Sequence, residues 1–190
     1  MRFVATALPG VTLIEPQPTH DDRGSFSRLY CADTFRRAGL TTGVVQINCA
    51  RTHRRGTLRG LHYQHPPYGE GKLLRCSRGR LFDVALDLRH DSPAYRRWVG
   101  VELSARNGRL LTIPPGCAHG YQVLDDDSEI WYAVSAPYTP AAEAGVRWDD
   151  PSFAIRWPLP VSAISTRDRS WNDWPHSAAT CEGEPTDAAG

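Results

Sequence analysis

Residues 80–88, RLFDVALDL, alternate with a period of two: Phe82, Val84, Leu86 and Leu88 fall on one face of an extended chain, and Asp83, Ala85 and Asp87 on the other. That is the pattern of a β-strand. If the second face is interior, its two carboxylates need partners, because an unpaired charge is costly to bury. Working outward, the chain repeats such segments from about Val11 to Trp157, each a few β-branched, Leu or aromatic residues punctuated by Gly, Pro and Asp. The candidates are TLIEP (12–16), GSFSRLYC (24–31), VVQINCA (44–50), TLRGLHYQ (57–64), KLLRCSRG (72–79), RWVGVELS (97–104), RLLTIPPG (109–116), YQVLDDDSEIWYAVS (121–135) and AGVRW (144–148). With residues 80–89 they are more than one open sheet carries comfortably, so an all-β fold of two packed layers or a closed barrel is expected. Helix is scarce: ADTFRRAGL (32–40) is the best candidate, with Gly39 as a stop signal.

A chain of 190 residues, 41% of them apolar, suits one domain with a terminal extension. We place the domain at 1–175 and expect the small, polar stretch 176–190 to be disordered. The 22 Lys and Arg against 21 Asp and Glu are interspersed and give no footprint for nucleic acid or an anionic membrane. The N-terminal MRFVATALPGVTLIEP is a poor signal peptide, since Pro9 breaks its apolar run, and no apolar stretch approaches bilayer length. Five scattered cysteines without a pairing pattern favour reduced thiols and a cytoplasmic protein.

One stretch resists a purely structural reading. GTLRGLHYQHPPYGEGKLLRC (56–76) sets Arg59, His62 and Lys72 among apolar strand residues. Downstream, GRLLTIPPGCAH (108–119) resembles the second conserved motif of the cupin superfamily, which implies a jelly-roll β-barrel. Metal-binding cupins carry HxH in the first motif, whereas this chain has HYQ at 62–64, and its nearest carboxylate, Glu70, lies late, behind Pro66 and Pro67. A tight site wants three or four good ligands, so no metal and no other cofactor is expected.

Longer matches narrow the resemblance. DDRGSFSRLY (21–30), the block from Arg55 to Ala105, IPPGCAHGYQVL (113–124) and GVRWDDPSFAIRWP (145–158) resemble the dTDP-4-dehydrorhamnose 3,5-epimerase family over about residues 1–174. The resemblance implies inversion of C3 and/or C5 of a nucleotide-linked 4-keto-6-deoxyhexose in deoxysugar biosynthesis, by a homodimer that exchanges strands. Such chemistry needs two opposed acid/base groups and an oxyanion stabiliser. His62 suits the base because imidazole titrates near neutral pH, and Lys72 suits the stabiliser. Family resemblance gives the same roles to both, makes Tyr132 the acid, and has Asp168 orient His62; Asp83 and His119 form a second candidate pair.

For the substrate, the resemblance implies contacts from Arg23, Phe26, Gln46, Asn48, Arg59, His119, Tyr138, Glu143 and Arg167. Arginines suit a diphosphate because their planar fork binds phosphate oxygens in pairs. Arg59 and His62 differ in strand parity, so both reach one cavity only if Gly60 bends or bulges the strand. The chain departs from the family pattern at Arg28, Cys49, Ala133 and Arg167, which leaves the nucleobase open. Two other readings stand beside this one: a metal-dependent cupin dioxygenase or isomerase using His62, Gln64, Glu70 and His119, and a non-catalytic sugar-binding barrel.

Overall fold

The computed structural model describes residues 1–40 and 43–174; the stretch 176–190, expected to be disordered, lies outside the described residues. The described chain is mostly antiparallel β-structure with short helices. One sheet has six strands in the order β1 (Arg2–Ala5), β2 (Thr12–Glu15), β10 (Leu110–Ile113), β7 (Lys72–Arg78), β12 (Ser128–Val134) and β5 (Gln46–Thr52). A second has five in the order β13 (Glu143–Gly145), β6 (Leu58–Gln64), β11 (Cys117–Val123), β8 (Arg80–Asp87) and β9 (Trp98–Ser104). A separate hairpin pairs β3 (Thr19–Asp21) with β4 (Gly24–Phe26).

The alternation in RLFDVALDL holds, and both faces are buried. Leu81 and Ala85 join Leu74, Cys76, Leu111, Ile113 and Ile130 of the six-stranded sheet in the main core. Val84, Leu86 and Leu88 face the other way, under a strap of later chain that contributes Val146, Trp148, Phe153, Ile155 and Trp157. The five-stranded sheet is thus a middle layer. Its two carboxylates are fully buried and paired: Asp83 Oδ2 lies 3.1 Å from His119 Nε2, and Asp87 accepts hydrogen bonds from Arg89 and Ser92.

The outer face of the six-stranded sheet is covered by α1 (Ala32–Arg37), whose Phe35 is fully buried with Ile14, Leu73, Leu110 and Ala133 and meets Phe3 edge-on. Truncating a buried Phe of this kind costs about 3–5 kcal/mol. Just past the helix, Gly39 adopts φ +74°, as a stop signal should.

Three strand expectations need correction. GSFSRLYC is extended in a sheet only through Phe26; Leu29 and Tyr30 instead pack against Phe35 and its neighbours. YQVLDDDSEIWYAVS is two strands, the end of β11 and all of β12, because its three carboxylates bind better in a turn than side by side in a strand. There Asp125 takes the Arg80 guanidinium at 2.9 Å, Asp126 accepts from the Arg55 amide at 2.7 Å, and Asp127 turns the chain at φ +52°. The N-terminal RFVA, not read as a strand, pairs with β2 along its length.

Candidate active site

At the β5/β12 end of one sheet and the β6/β11 end of the other, the apolar core gives way to a cavity of about 640 Å³. Its lining includes His62, Lys72, Tyr132 and Asp168, with Gln46, Asn48, Arg59, His119, Tyr138, Glu143 and Arg167. The cavity is where interior-facing strand positions turn from apolar to polar. On β7, for instance, Leu74 and Cys76 lie in the core while Lys72, on the same face, lines the cavity.

His62 and Arg59 reach the same cavity through the irregularity the parity argument requires. His119 pairs with His62 but Tyr121 pairs with Arg59, so two residues of β6, Gly60 and Leu61, lie opposite the single Gly120 of β11. Gly60 has φ +125°, and a Cβ there would stand 2.5 Å from the Gly120 Cα, so only glycine fits.

Asp168 ties this bulge to the imidazole. One carboxylate oxygen lies 2.7 Å from His62 Nε2, and the other accepts the Gly60 amide at 3.1 Å. The carboxylate arrives from far along the chain. Gln122 holds Leu159 through paired hydrogen bonds, the Leu58 amide donates to the Ala163 carbonyl, and Ser165 caps α2 (Thr166–Arg169) by accepting from the Asp168 amide. Burial alone would raise the Asp168 carboxyl, but the hydrogen bond and charge of His62, the Gly60 amide and Ser165 outweigh it and hold it below the ordinary value. Among the described residues no further hydrogen bond engages the His62 ring, which leaves Nδ1 for a ligand.

The opposite wall belongs to the six-stranded sheet. Lys72 is nearly buried, with its Nζ 3.0 Å from a Glu70 oxygen. Tyr132 projects from the neighbouring strand; burial, then the charge of Glu70, raise its phenol above the ordinary value despite the opposing pull of Arg59. A phenol held in this way keeps its proton at neutral pH and can donate it. Beside it, Gln46 Nε2 donates to Asn48 Oδ1 at 2.8 Å.

Arg59 Nε donates to Thr52 Oγ1 at 3.1 Å, which fixes the stem of the guanidinium. Elsewhere on the lining, Tyr138 Oη and Arg167 Nη1 both donate to the same Glu143 oxygen at 2.8 Å. Eleven of the thirteen expected site residues therefore gather here.

Arg23 and Phe26 do not. They lie on the β3–β4 hairpin, which pairs with neither large sheet; Arg23 is turned to Asp21, and Phe26 is 69% exposed beside a separate cleft that includes Arg28. Two ionisable residues of the lining were given no part in the reaction or in substrate binding by the sequence reading: Tyr121, two positions beyond His119 and so on the same face of its strand, and Glu70, weighed there only as a metal ligand.

The ligand set for a metal does not assemble either. Gln64 is already committed: its amide donates to the Tyr68 and Pro137 carbonyls and accepts the Thr139 amide. Glu70 is engaged by Lys72, and among the described residues no group of three His, Cys, Asp or Glu is placed to hold an ion.

A sequence model of the dTDP-4-dehydrorhamnose 3,5-epimerase family matches residues 5–176. The chain belongs to that family. It is 43% identical over 171 residues to the dTDP-4-dehydrorhamnose 3,5-epimerase of Sinorhizobium fredii, covering 90% of this chain and 88% of the relative. It is also 36% identical over 170 residues to a dTDP-4-dehydrorhamnose 3-epimerase of Streptomyces niveus, covering 89% and 82%. Among solved structures, the epimerase of Elizabethkingia anophelis superposes with a TM-score of 0.89 at 34% identity, covering 92% of this chain and 96% of that one. Membership in an epimerase family disfavours the other two readings, a metal-dependent cupin and a barrel that binds sugar without acting on it.

Proposed function

We propose that this protein inverts C3, C5 or both of a nucleotide-linked 4-keto-6-deoxyhexose, with dTDP-4-keto-6-deoxyglucose as the first substrate to test. The observation that carries the mechanism is the placement of His62 and Tyr132 on different sheets, one on each wall of a single cavity. His62 takes the proton next to the ketone, its imidazolium stabilised by Asp168. Lys72 stabilises the oxyanion that develops at C4, an interaction stronger in the transition state than in the ketone. Tyr132 returns a proton from the opposite wall, and the carbon is inverted.

Arg59 is placed for the diphosphate, and Tyr138 for the base. Arg23 and Phe26 complete the site from a second copy in this reading, as expected of a strand-exchanged homodimer. Their exposed hairpin and the exposed Val45 and Ile47 at the β5 edge support it; a monomer by sedimentation would remove it. We further infer that the two sheets close as a cupin-type jelly-roll barrel, that 1–175 is one catalytic domain, and that the free thiols of Cys31, Cys49, Cys76 and Cys117 suit a cytoplasmic setting.

The test is incubation with dTDP-4-keto-6-deoxyglucose in D2O, with deuterium at C3 and C5 followed by NMR. Label at both carbons identifies a double epimerase, and label at one a single epimerase like the Streptomyces niveus relative. No label at either removes this reading.

A further inference from the structure

Among the described residues, Glu70 is the one charged group on the six-stranded wall with no part in the reaction described above, and the residue after it is held through both its amide and its carbonyl. The Gly71 amide donates to Ser135 Oγ at 2.7 Å, and the Ser135 amide donates back to the Gly71 carbonyl at 3.0 Å. This reciprocal clamp locks the residue after Glu70 to the end of β12, the strand that carries Tyr132. The carboxylate is largely buried, with side-chain exposure of 14%, and meets an ammonium exposed by only 8%. A surface ion pair contributes little to stability, but a desolvated pair inside a cavity fixes geometry and sets the local field.

We propose that Glu70 is a positioning residue for the epimerisation: it holds the Lys72 ammonium at the cavity wall and presents its negative charge to the cavity that the Tyr132 phenol also lines. This rests on the roles of Lys72 and Tyr132 given above. An ammonium has three donors, so Lys72 can keep one on Glu70 while turning another to the developing oxyanion. With Glu70 removed, a four-carbon stem is left to find the oxyanion by rotamer search, and the pre-organisation that makes such a donor effective is lost.

Other titratable groups near this corner are Arg59 and His62 on β6, His119 and Tyr121 on β11, Cys49 on β5 and Glu143 on β13. Burial is the first cause that raises the Tyr132 phenol; the Glu70 charge adds to it and Arg59 opposes it.

The experiment compares wild type, Glu70→Gln and Glu70→Asp for kcat, KM and the pH profile, with spectroscopic titration of tyrosinate and Tyr132→Phe to assign the phenol. Glu70→Gln keeps the shape and loses the charge. Its kcat should fall on the order of 10-fold to 100-fold, as for outer partners that orient a reactive group, with KM little changed. Its Tyr132 should ionise at lower pH, carrying the alkaline limb of kcat with it. Glu70→Asp keeps the charge on a shorter arm; it should preserve the alkaline limb while lowering kcat, and it carries the test alone if the Gln variant does not fold.

A Glu70→Gln enzyme with wild-type kcat and an unmoved tyrosinate titration overturns the proposal. So does a Glu70→Asp enzyme whose alkaline limb moves as far as that of the Gln variant. If wild type itself does not turn over the ketosugar, the parent reading has failed, and the tyrosinate titration still reports whether Glu70 governs Tyr132.

Discussion

Replacing Asp168 by Asn changes no volume and removes one acceptor, and the structure says what that does. The carboxylate accepts from two groups at once, His62 Nε2 at 2.7 Å and the Gly60 amide at 3.1 Å, with almost no access to water. An amide has one oxygen. If that oxygen stays on Gly60, the NH2 faces His62 Nε2 and forces the ring to carry its proton on Nδ1, the nitrogen needed as base. If the amide flips, His62 keeps its working tautomer, but two N–H groups face each other at Gly60.

A buried donor left unpaired costs about 1–3 kcal/mol, so the working flip is disfavoured by roughly 5-fold to 150-fold. Loss of the charge that stabilises the imidazolium adds to that. The total should stay below the loss from His62→Ala, which removes general-base catalysis of about 10²–10⁴. We expect Asp168→Asn to lower kcat accordingly while binding dTDP as wild type does, since the nucleotide contacts proposed above, Arg59 and Tyr138, do not include it. Steady-state epimerisation, dTDP calorimetry and thermal melting of the same preparation measure this. Wild-type turnover in a folded Asp168→Asn enzyme would refute the assignment of His62 Nδ1 as the base, and so would a loss confined to KM.

Tyr132→Phe removes the donor on one wall and leaves the base on the other, so in D2O it should exchange hydrogen for deuterium with retained configuration faster than it epimerises; exchange abolished as fully as in His62→Ala would place Tyr132 before the enolate. Acid should destabilise the fold in a defined window. Burial tends to raise Asp87, Asp150 and Asp168, but hydrogen bonds hold all three below 3.8, so their stabilisation is complete above that value and disappears as pH falls through the lowered values. Tm measured downward from neutral pH should therefore drop mainly below about pH 4, and Asp87→Asn should flatten the drop. Gly60→Ala should cost at least about 1–3 kcal/mol from its positive φ alone, with the clash on Gly120 added, and should shift His62 enough to reduce activity. A Gly60→Ala protein with wild-type Tm and turnover would mean that the bulge is not needed.

Most of the middle of the molecule was legible because period-two alternation survives even where both faces of a strand are buried, as in residues 80–88. Parity carried further than secondary structure: the mismatch between Arg59 and His62 required a bulge at Gly60, and the register has it. What the sequence could not convey was direction. Nothing in HYQ says that the Gln64 amide is spent on the backbone of Tyr68, Pro137 and Thr139 while His62, two residues earlier in the same regular stretch, lines the cavity. Nor does local pattern tell that DDRGSF forms a hairpin standing apart from both sheets, because isolated and sheet-bound strands share one alternation. Glu70 was weighed only as a poorly spaced metal ligand, because its partner, Lys72 two residues on, is visible only once the loop is folded.

The pairing of His62 with Asp168 spans 106 positions of chain. By contrast, Lys72 and Tyr132 lie on strands that are themselves neighbours in a sheet. The two halves of the chemistry thus have different folding histories. In the function proposed above, the wall that would hold the oxyanion needs only the pairing of β7 with β12, whereas the base also needs the long loop that brings Asp168 back onto β6. Detaching the last stretch of that loop would keep the sheets paired and the nucleotide-binding wall in place, yet leave His62 without its carboxylate. Turnover is therefore expected to be lost on heating before the sheets unfold, which activity and circular dichroism followed on one temperature ramp would show.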